Sequence, residues 1–165
     1  MVSQLLELPF HMDKTTFDPE THCKIRILAL KDWGRVNWVT GKLFDENSEP
    51  VEIDSILVDI HGGSFNGGSP AKQNQYTKYI AMKTGVVVFS LDYRLAPGSQ
   101  FPSNLSDCFQ GYLWVAYYAE KYLKIKTKNI IIEGDSAGGN LSQGVVTLAI
   151  QKETRIPDKC LFNYP

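Results

Sequence analysis

The chain has 165 residues, with 17 basic and 18 acidic side chains and a formal net charge of -1. That balance argues against a nucleic-acid footprint or a polybasic membrane arm, and the length is enough for one hydrophobic core. No apolar run reaches the length of a membrane span. Met1 to Glu7 has neither a basic stretch nor a long apolar core, so no secretory signal is expected. Cys23, Cys108 and Cys160 are odd in number and scattered. They read as free thiols in a reducing compartment, and the chain is expected to be cytoplasmic.

Residues 1–22 are weakly periodic and contain Pro9 and Pro19, and they read as a lead-in to a domain over 23–165. His11 and His22 within it read as surface residues. Cys23 to Leu30 predicts a first strand and Val36 to Phe44 a second, followed by a solvated loop from Asp45 to Pro50. Ile56 to Ile60 predicts a short strand ending at His61. Four glycines lie between His61 and Gly68, which predicts a loop with unusual dihedrals or a close backbone approach. Gln73 to Lys83 predicts a helix closed by Gly85. Val86 to Leu91 is nearly all apolar and rich in β-branched residues, as a strand covered on both faces would be.

Ser103 is the expected N-cap of a helix that carries Leu105, Phe109, Tyr112 and Leu113 on its apolar stripe and runs to about Tyr122. Lysines 121, 124, 126 and 128 read as a solvated helix end and loop. Ile130 to Glu133 predicts a strand, a helix opens near Asn140, and Cys160 to Phe162 starts another strand. After residue 55, strand and helix alternate. That pattern predicts an α/β fold with a mostly parallel sheet and helices on both faces.

Between Ile130–Glu133 and the helix stands Gly134-Asp135-Ser136-Ala137-Gly138-Gly139. A serine on a tight strand-to-helix turn between glycines is the arrangement of a nucleophile elbow. Ser136 is therefore the candidate nucleophile. The bland reading of the same residues is a serine-glycine helix cap or a phosphate-type loop. The glycine loop after His61 follows the C-terminal end of a strand, the edge of an α/β sheet where sites form.

Three stretches occur in order: His61-Gly62-Gly63-Ser64-Phe65, Asp92-Tyr93-Arg94-Leu95-Ala96-Pro97, and Gly134 to Gly139. Together they resemble the hormone-sensitive lipase family of α/β-hydrolases, over about residues 55 to 165. The resemblance implies hydrolysis of carboxylic esters such as acylglycerols or steryl esters. It implies Ser136 as nucleophile and an oxyanion hole formed by Gly62, Gly63, Ser64 and Ala137, with the amides of the last three as donors and Gly62 and His61 shaping the loop. Gly134, Asp135, Gly138 and Asp92 are implied as supporting residues. Many relatives carry a third glycine where this chain has Ser64; the backbone N–H survives that exchange, but a positive φ there would strain serine.

Acyl transfer also needs a base and an acid that orients it. In this fold they follow the serine, yet no histidine follows Ser136 here. His61 is expected to order the glycine loop, and Asp158 to be structural. The chain thus reads as an N-terminal piece of a longer enzyme, truncated after the strand that follows the nucleophile helix. It is expected to be inactive alone, with the apolar edge of its last strand unpaired. No cofactor and no metal are expected. The expected partner is a small-molecule or lipid ester, with lipid-surface contact compatible and oligomeric state unread. The alternatives are a non-catalytic binding or receptor-like module on the same fold, and an amide hydrolase with the same machinery.

Overall fold

The computed structural model describes residues 2–6, 24–29, 51–120 and 125–165. Six strands form one sheet in the order β1-β2-β4-β3-β5-β6. They are β1 (Val2–Leu6), β2 (Lys24–Ala29), β3 (Val51–Ile60), β4 (Val87–Asp92), β5 (Ile125–Asp135) and β6 (Lys159–Asn163). β1 pairs antiparallel with β2, and β2 antiparallel with β4, while β4, β3, β5 and β6 run parallel. Among the described residues, three helices lie between the parallel strands: α1 (Asn74–Thr84), α2 (Ser103–Tyr117) and α3 (Ala137–Gln151).

Alternation along the strands sorts side chains to two faces. Ile56, Val58 and Ile60 of β3, with Phe89, Leu91, Ile130 and Ile132, meet Tyr112, Leu113, Val145 and Ala149 of α2 and α3 in the main core. Leu57 and Val88 point the other way and pack under Ala81 of α1. Each aliphatic side chain buried this fully contributes about 1.5–3 kcal/mol, so the parallel strands hold together through both faces. Among the described residues no helix is long and apolar enough to cross a membrane.

Several elements differ from the sequence reading. Val2–Leu6, read as lead-in, is an edge strand paired with β2 from Val2 opposite Ala29 to Leu6 opposite Ile25. β3 and β5 are longer than their apolar runs, because they pair from Val51–Ile125 to Ile60–Gly134, in one register that skips only Asp54 and Lys128. Lys126 and Lys128 consequently lie within β5, since backbone pairing with β3 outweighs their polar side chains. Ser103 is the first helical residue and Pro102 holds the cap position. The helix ends at Tyr117, where the Tyr118 N–H still bonds to the Trp114 carbonyl but its φ of -117° leaves the helical range. α3 opens at Ala137, directly after the serine, so the turn is tighter than an opening near Asn140 would make it. The predicted strand at 36–44, the loop at 45–50, His11, His22 and Tyr122 lie outside the described residues. β6 is the last strand in the sheet order, and Leu161 on it is half exposed.

Candidate active site

β3 and β5 are neighbours in parallel register, with Ile60 opposite Gly134. The loops that leave their C-terminal ends therefore emerge side by side. One loop is the glycine-rich stretch after His61; the other is the turn at Ser136.

Ser136 has φ 51° and ψ -122°. A non-glycine residue in such a sparsely populated conformation costs about 1–3 kcal/mol and persists only where its surroundings impose it. Here the Ser136 N–H donates to the Asn163 carbonyl at 2.9 Å, and the Asn140 N–H donates to the Ser136 carbonyl at 3.0 Å. Gly134 and Gly138 supply the room. A Cβ on Gly134 would overlap the Gly138 carbonyl, and one on Gly138 would overlap the Ile60 carbonyl. The start of α3 is thus pressed against the end of β3, which a side chain at either glycine would prevent.

The glycine loop is equally constrained. Gly63, Ser64 and Phe65 have φ of 128°, 52° and 62°. Ser64 therefore sits in the left-handed region, the case in which serine is strained. The Gly63 carbonyl accepts from the N–H groups of Asn66 and Gly67 at 3.1 and 2.9 Å, which closes the loop on itself. Among the described residues, no loop or turn hydrogen bond uses the amides of Gly63, Ser64 or Ala137. Gly62 differs from its sequence-stretch neighbours: its N–H donates to Asp135 Oδ1 at 3.2 Å, so it is occupied and latches the glycine loop to the elbow. The Gln73 side-chain amide donates to the same oxygen. A Cβ on Gly62 would lie 2.6 Å from Asp135 Oδ2, so glycine is what permits the latch.

His61 is buried, and its ring stacks on Tyr93 with centroids 4.2 Å apart. Its Nδ1 lies 2.9 Å from the Gly62 carbonyl, which can only accept, so Nδ1 carries the proton. Burial lowers the ring's pKa, opposed in part by that hydrogen bond. The Tyr93 hydroxyl donates to the His61 carbonyl at 2.7 Å, and the Ala96 N–H donates to the Phe65 carbonyl at 2.9 Å. His61 is thus a neutral ring that orders the loop. Asp92 stands 4.0 Å from His61 Nε2.

Asp92, expected as a supporting residue, is not what Arg94 pairs with. Arg94 instead pairs with Asp107 of α2, with its Nη2 at 2.8 Å and its backbone N–H also on that carboxylate at 2.9 Å. Asp107 is fully buried and pins the Asp92–Pro97 loop to the helix. An aspartate set within the apolar stripe of α2 was the available signal for it. Asp158 receives the Ile130 N–H at 2.7 Å and Arg155 at 3.1 Å, and the first of these holds its carboxyl below the usual range.

An apolar cavity of about 280 Å³ adjoins both loops, lined by Phe65, Phe101, Leu105, Asn140, Leu141 and Gly144. It begins one residue after Ser64 and one helical turn after Ser136. Among the described residues no group of histidines, cysteines and carboxylates has the arrangement to hold a metal ion.

A family model described as an alpha/beta hydrolase fold matches residues 57–165. Hormone-sensitive lipase of Mus musculus is 38% identical over 111 residues, which cover 67% of this chain and 14% of that protein. Tuliposide A-converting enzyme 2 of Tulipa gesneriana is 38% identical over 104 residues, covering 57% of this chain and 27% of that enzyme. Among solved structures, a bacterial heroin esterase superposes with a TM-score of 0.72 at 28% identity, covering 96% of this chain and 44% of that one. An esterase from Pyrobaculum calidifontis gives 0.67 at 26% identity, covering 85% and 39%. The chain spans less than half the length of each of these proteins.

Proposed function

The chain belongs to the α/β-hydrolase fold family, and from that premise we propose that it carries the nucleophile and oxyanion donors of a serine carboxylic-ester hydrolase. The observation that carries the reading is the strained Ser136 elbow, latched through Gly62 and Asp135 to a glycine loop whose next two amides have no loop partner. In this reading Ser136 Oγ attacks the ester carbonyl carbon and gives up its proton to a base. The Gly63, Ser64 and Ala137 amides receive the developing oxyanion. The alcohol departs with a proton, and water then attacks the acyl-enzyme to release the acid and restore the serine. One oxyanion donor is worth about 3–4 kcal/mol of transition-state stabilisation.

The cavity behind Phe65 and Leu141 is where we place the apolar part of the substrate, an acyl ester such as an acylglycerol or steryl ester. Residues 23–165 form part of the hydrolase domain in this reading, working in the cytoplasm with access to a lipid surface. The base and its orienting acid are not among the residues after Ser136. No histidine follows Ser136, and His61 is committed to Tyr93 and the Gly62 carbonyl. The chain alone therefore lacks turnover.

The test supplies a base from solution. The chain is incubated with a short-acyl nitrophenyl ester, with and without imidazole, beside a Ser136→Ala control. Intact-mass analysis should show imidazole-dependent acylation of the chain, absent in the control, and no sustained turnover without imidazole. Equal acylation of the control, or none at all, overturns Ser136 as nucleophile and favours a binding module on the same fold. Sustained Ser136-dependent turnover without imidazole overturns the missing base.

A further inference from the structure

A second cavity, also of about 280 Å³, lies beside the elbow and is lined by Asp59, Gln73, Tyr76, Glu133, Asp135 and Tyr164 among others. Its carboxylates arrive there by strand register. Asp59 of β3 stands opposite Glu133 of β5 and opposite Ser90 of β4. Asp59 and Glu133 are 1% and 3% exposed. Carboxylates so buried need donors or a counter-charge.

Four donors beside the carboxylates are already engaged. Ser90 Oγ–H goes to Asp59 Oδ2 at 2.7 Å, and the Tyr76 hydroxyl goes to Glu133 Oε2 at 3.0 Å. The Gln73 amide and the Gly62 N–H both go to Asp135. Two acceptors are left unmet: Glu133 Oε1 and Gln73 Oε1 are buried with no partner. Among the described residues, the groups that act on Asp59 are Ser90, Glu133 and Asp135, and those that act on Glu133 are Tyr76 and Asp135. None of these is a cation.

An anion would be repelled by these carboxyls once they ionise. An inorganic ion would need a converging ligand set, which the described residues do not form. A donor-rich organic cation fits on three counts. It brings N–H groups for the orphaned oxygens, charge for the carboxylates, and a partner for the two tyrosine rings. We propose that this cavity binds a small organic cation bearing a guanidinium or primary ammonium group, seated on the free oxygens of Glu133 and Gln73 in the field of Asp59 and Asp135.

The occupant opposes the burial that holds protons on the cavity. With the cavity empty, burial raises the carboxyls of Asp59 and Glu133 above their ordinary range. Asp59 and Glu133 release protons when the cation binds, while Tyr76, also raised by burial, stays protonated. Affinity therefore climbs with pH through neutrality.

Titration calorimetry of the 165-residue chain with methylguanidinium chloride tests this, with methylurea as the neutral isostere. Saturable binding of the cation is expected, at least about tenfold tighter than methylurea and about tenfold weaker in Glu133→Gln. Affinity should also rise from about pH 6 to about pH 8. Failure of the cation to bind saturably, equal binding of methylurea, or unchanged affinity in a folded Glu133→Gln protein each overturns the proposal. Should that variant fail to fold, the methylurea comparison and the pH series on the unaltered chain decide the matter.

Discussion

Replacing Asp59 by asparagine isolates the cost of a carboxylate buried in the centre of the sheet. Asp59 is 1% exposed, and its pKa is pushed from 3.8 up to about 7, chiefly by burial, with Glu133 and Asp135 adding to the rise and the Ser90 hydrogen bond opposing it. Because the folded value is raised, the folded chain holds a proton that the unfolded chain has lost over the window between these two values. Stability therefore falls as pH rises through that window. A shift of about three units at about 1.4 kcal/mol each makes the full cost about 4 kcal/mol above neutrality, and close to zero at about pH 4. Asparagine removes the titration and keeps an oxygen for the Ser90 hydroxyl. Urea unfolding of both proteins at about pH 4.5 and about pH 8 should thus show a stability difference that grows in favour of Asp59→Asn by about 2–4 kcal/mol. A difference that is the same at both pH values refutes the reasoning, because it would mean the aspartate ionises in the folded sheet as easily as in water.

Three further substitutions probe the elbow and the glycine loop. Gly138→Ala forces a methyl group into the Ile60 carbonyl, and should cost about 3 kcal/mol or more in thermal unfolding. Gly67→Ala is its control: the added atom would meet the Gly63 carbonyl oxygen at 3.7 Å, an ordinary contact, and stability should stay within about 0.5 kcal/mol. Ser64→Gly relieves the φ of 52° while keeping the N–H, and should raise stability by about 0.5–1 kcal/mol, measured by urea unfolding. A loss of stability there would mean that the hydroxyl, not the backbone, holds the loop.

Much of the architecture was legible because it is written locally. Val87 to Leu91 and Ile130 to Ile132 are mostly apolar, and both runs lie in parallel strands at the centre of the sheet. Gly85 closes α1 with φ 74°, in the left-handed conformation expected of a helix-terminating glycine. The edge strand Val2–Leu6 was not legible, because short segments at a sheet edge need only a partner, not a long apolar pattern. Nor was the start of β5, where Ile125, Lys126 and Thr127 follow the ladder with β3 rather than the polarity of Lys126.

The serine turn and the glycine loop could be found from residue order alone, since tight turns demand glycine at particular offsets whatever surrounds them. Their juxtaposition could not. The latch between Gly62 and Asp135, separated by 73 positions, exists because β3 lies beside β5 in the sheet, and no run of neighbours along the chain encodes that order. The same holds for Asp59, Ser90 and Glu133, which become one buried group only when three parallel strands settle into register. Backbone dihedral preferences reach a few residues, so the amino-acid order decided which segments would be strands, turns and helices. Packing across both faces of the sheet decided which of their polar groups would meet, and with what protonation.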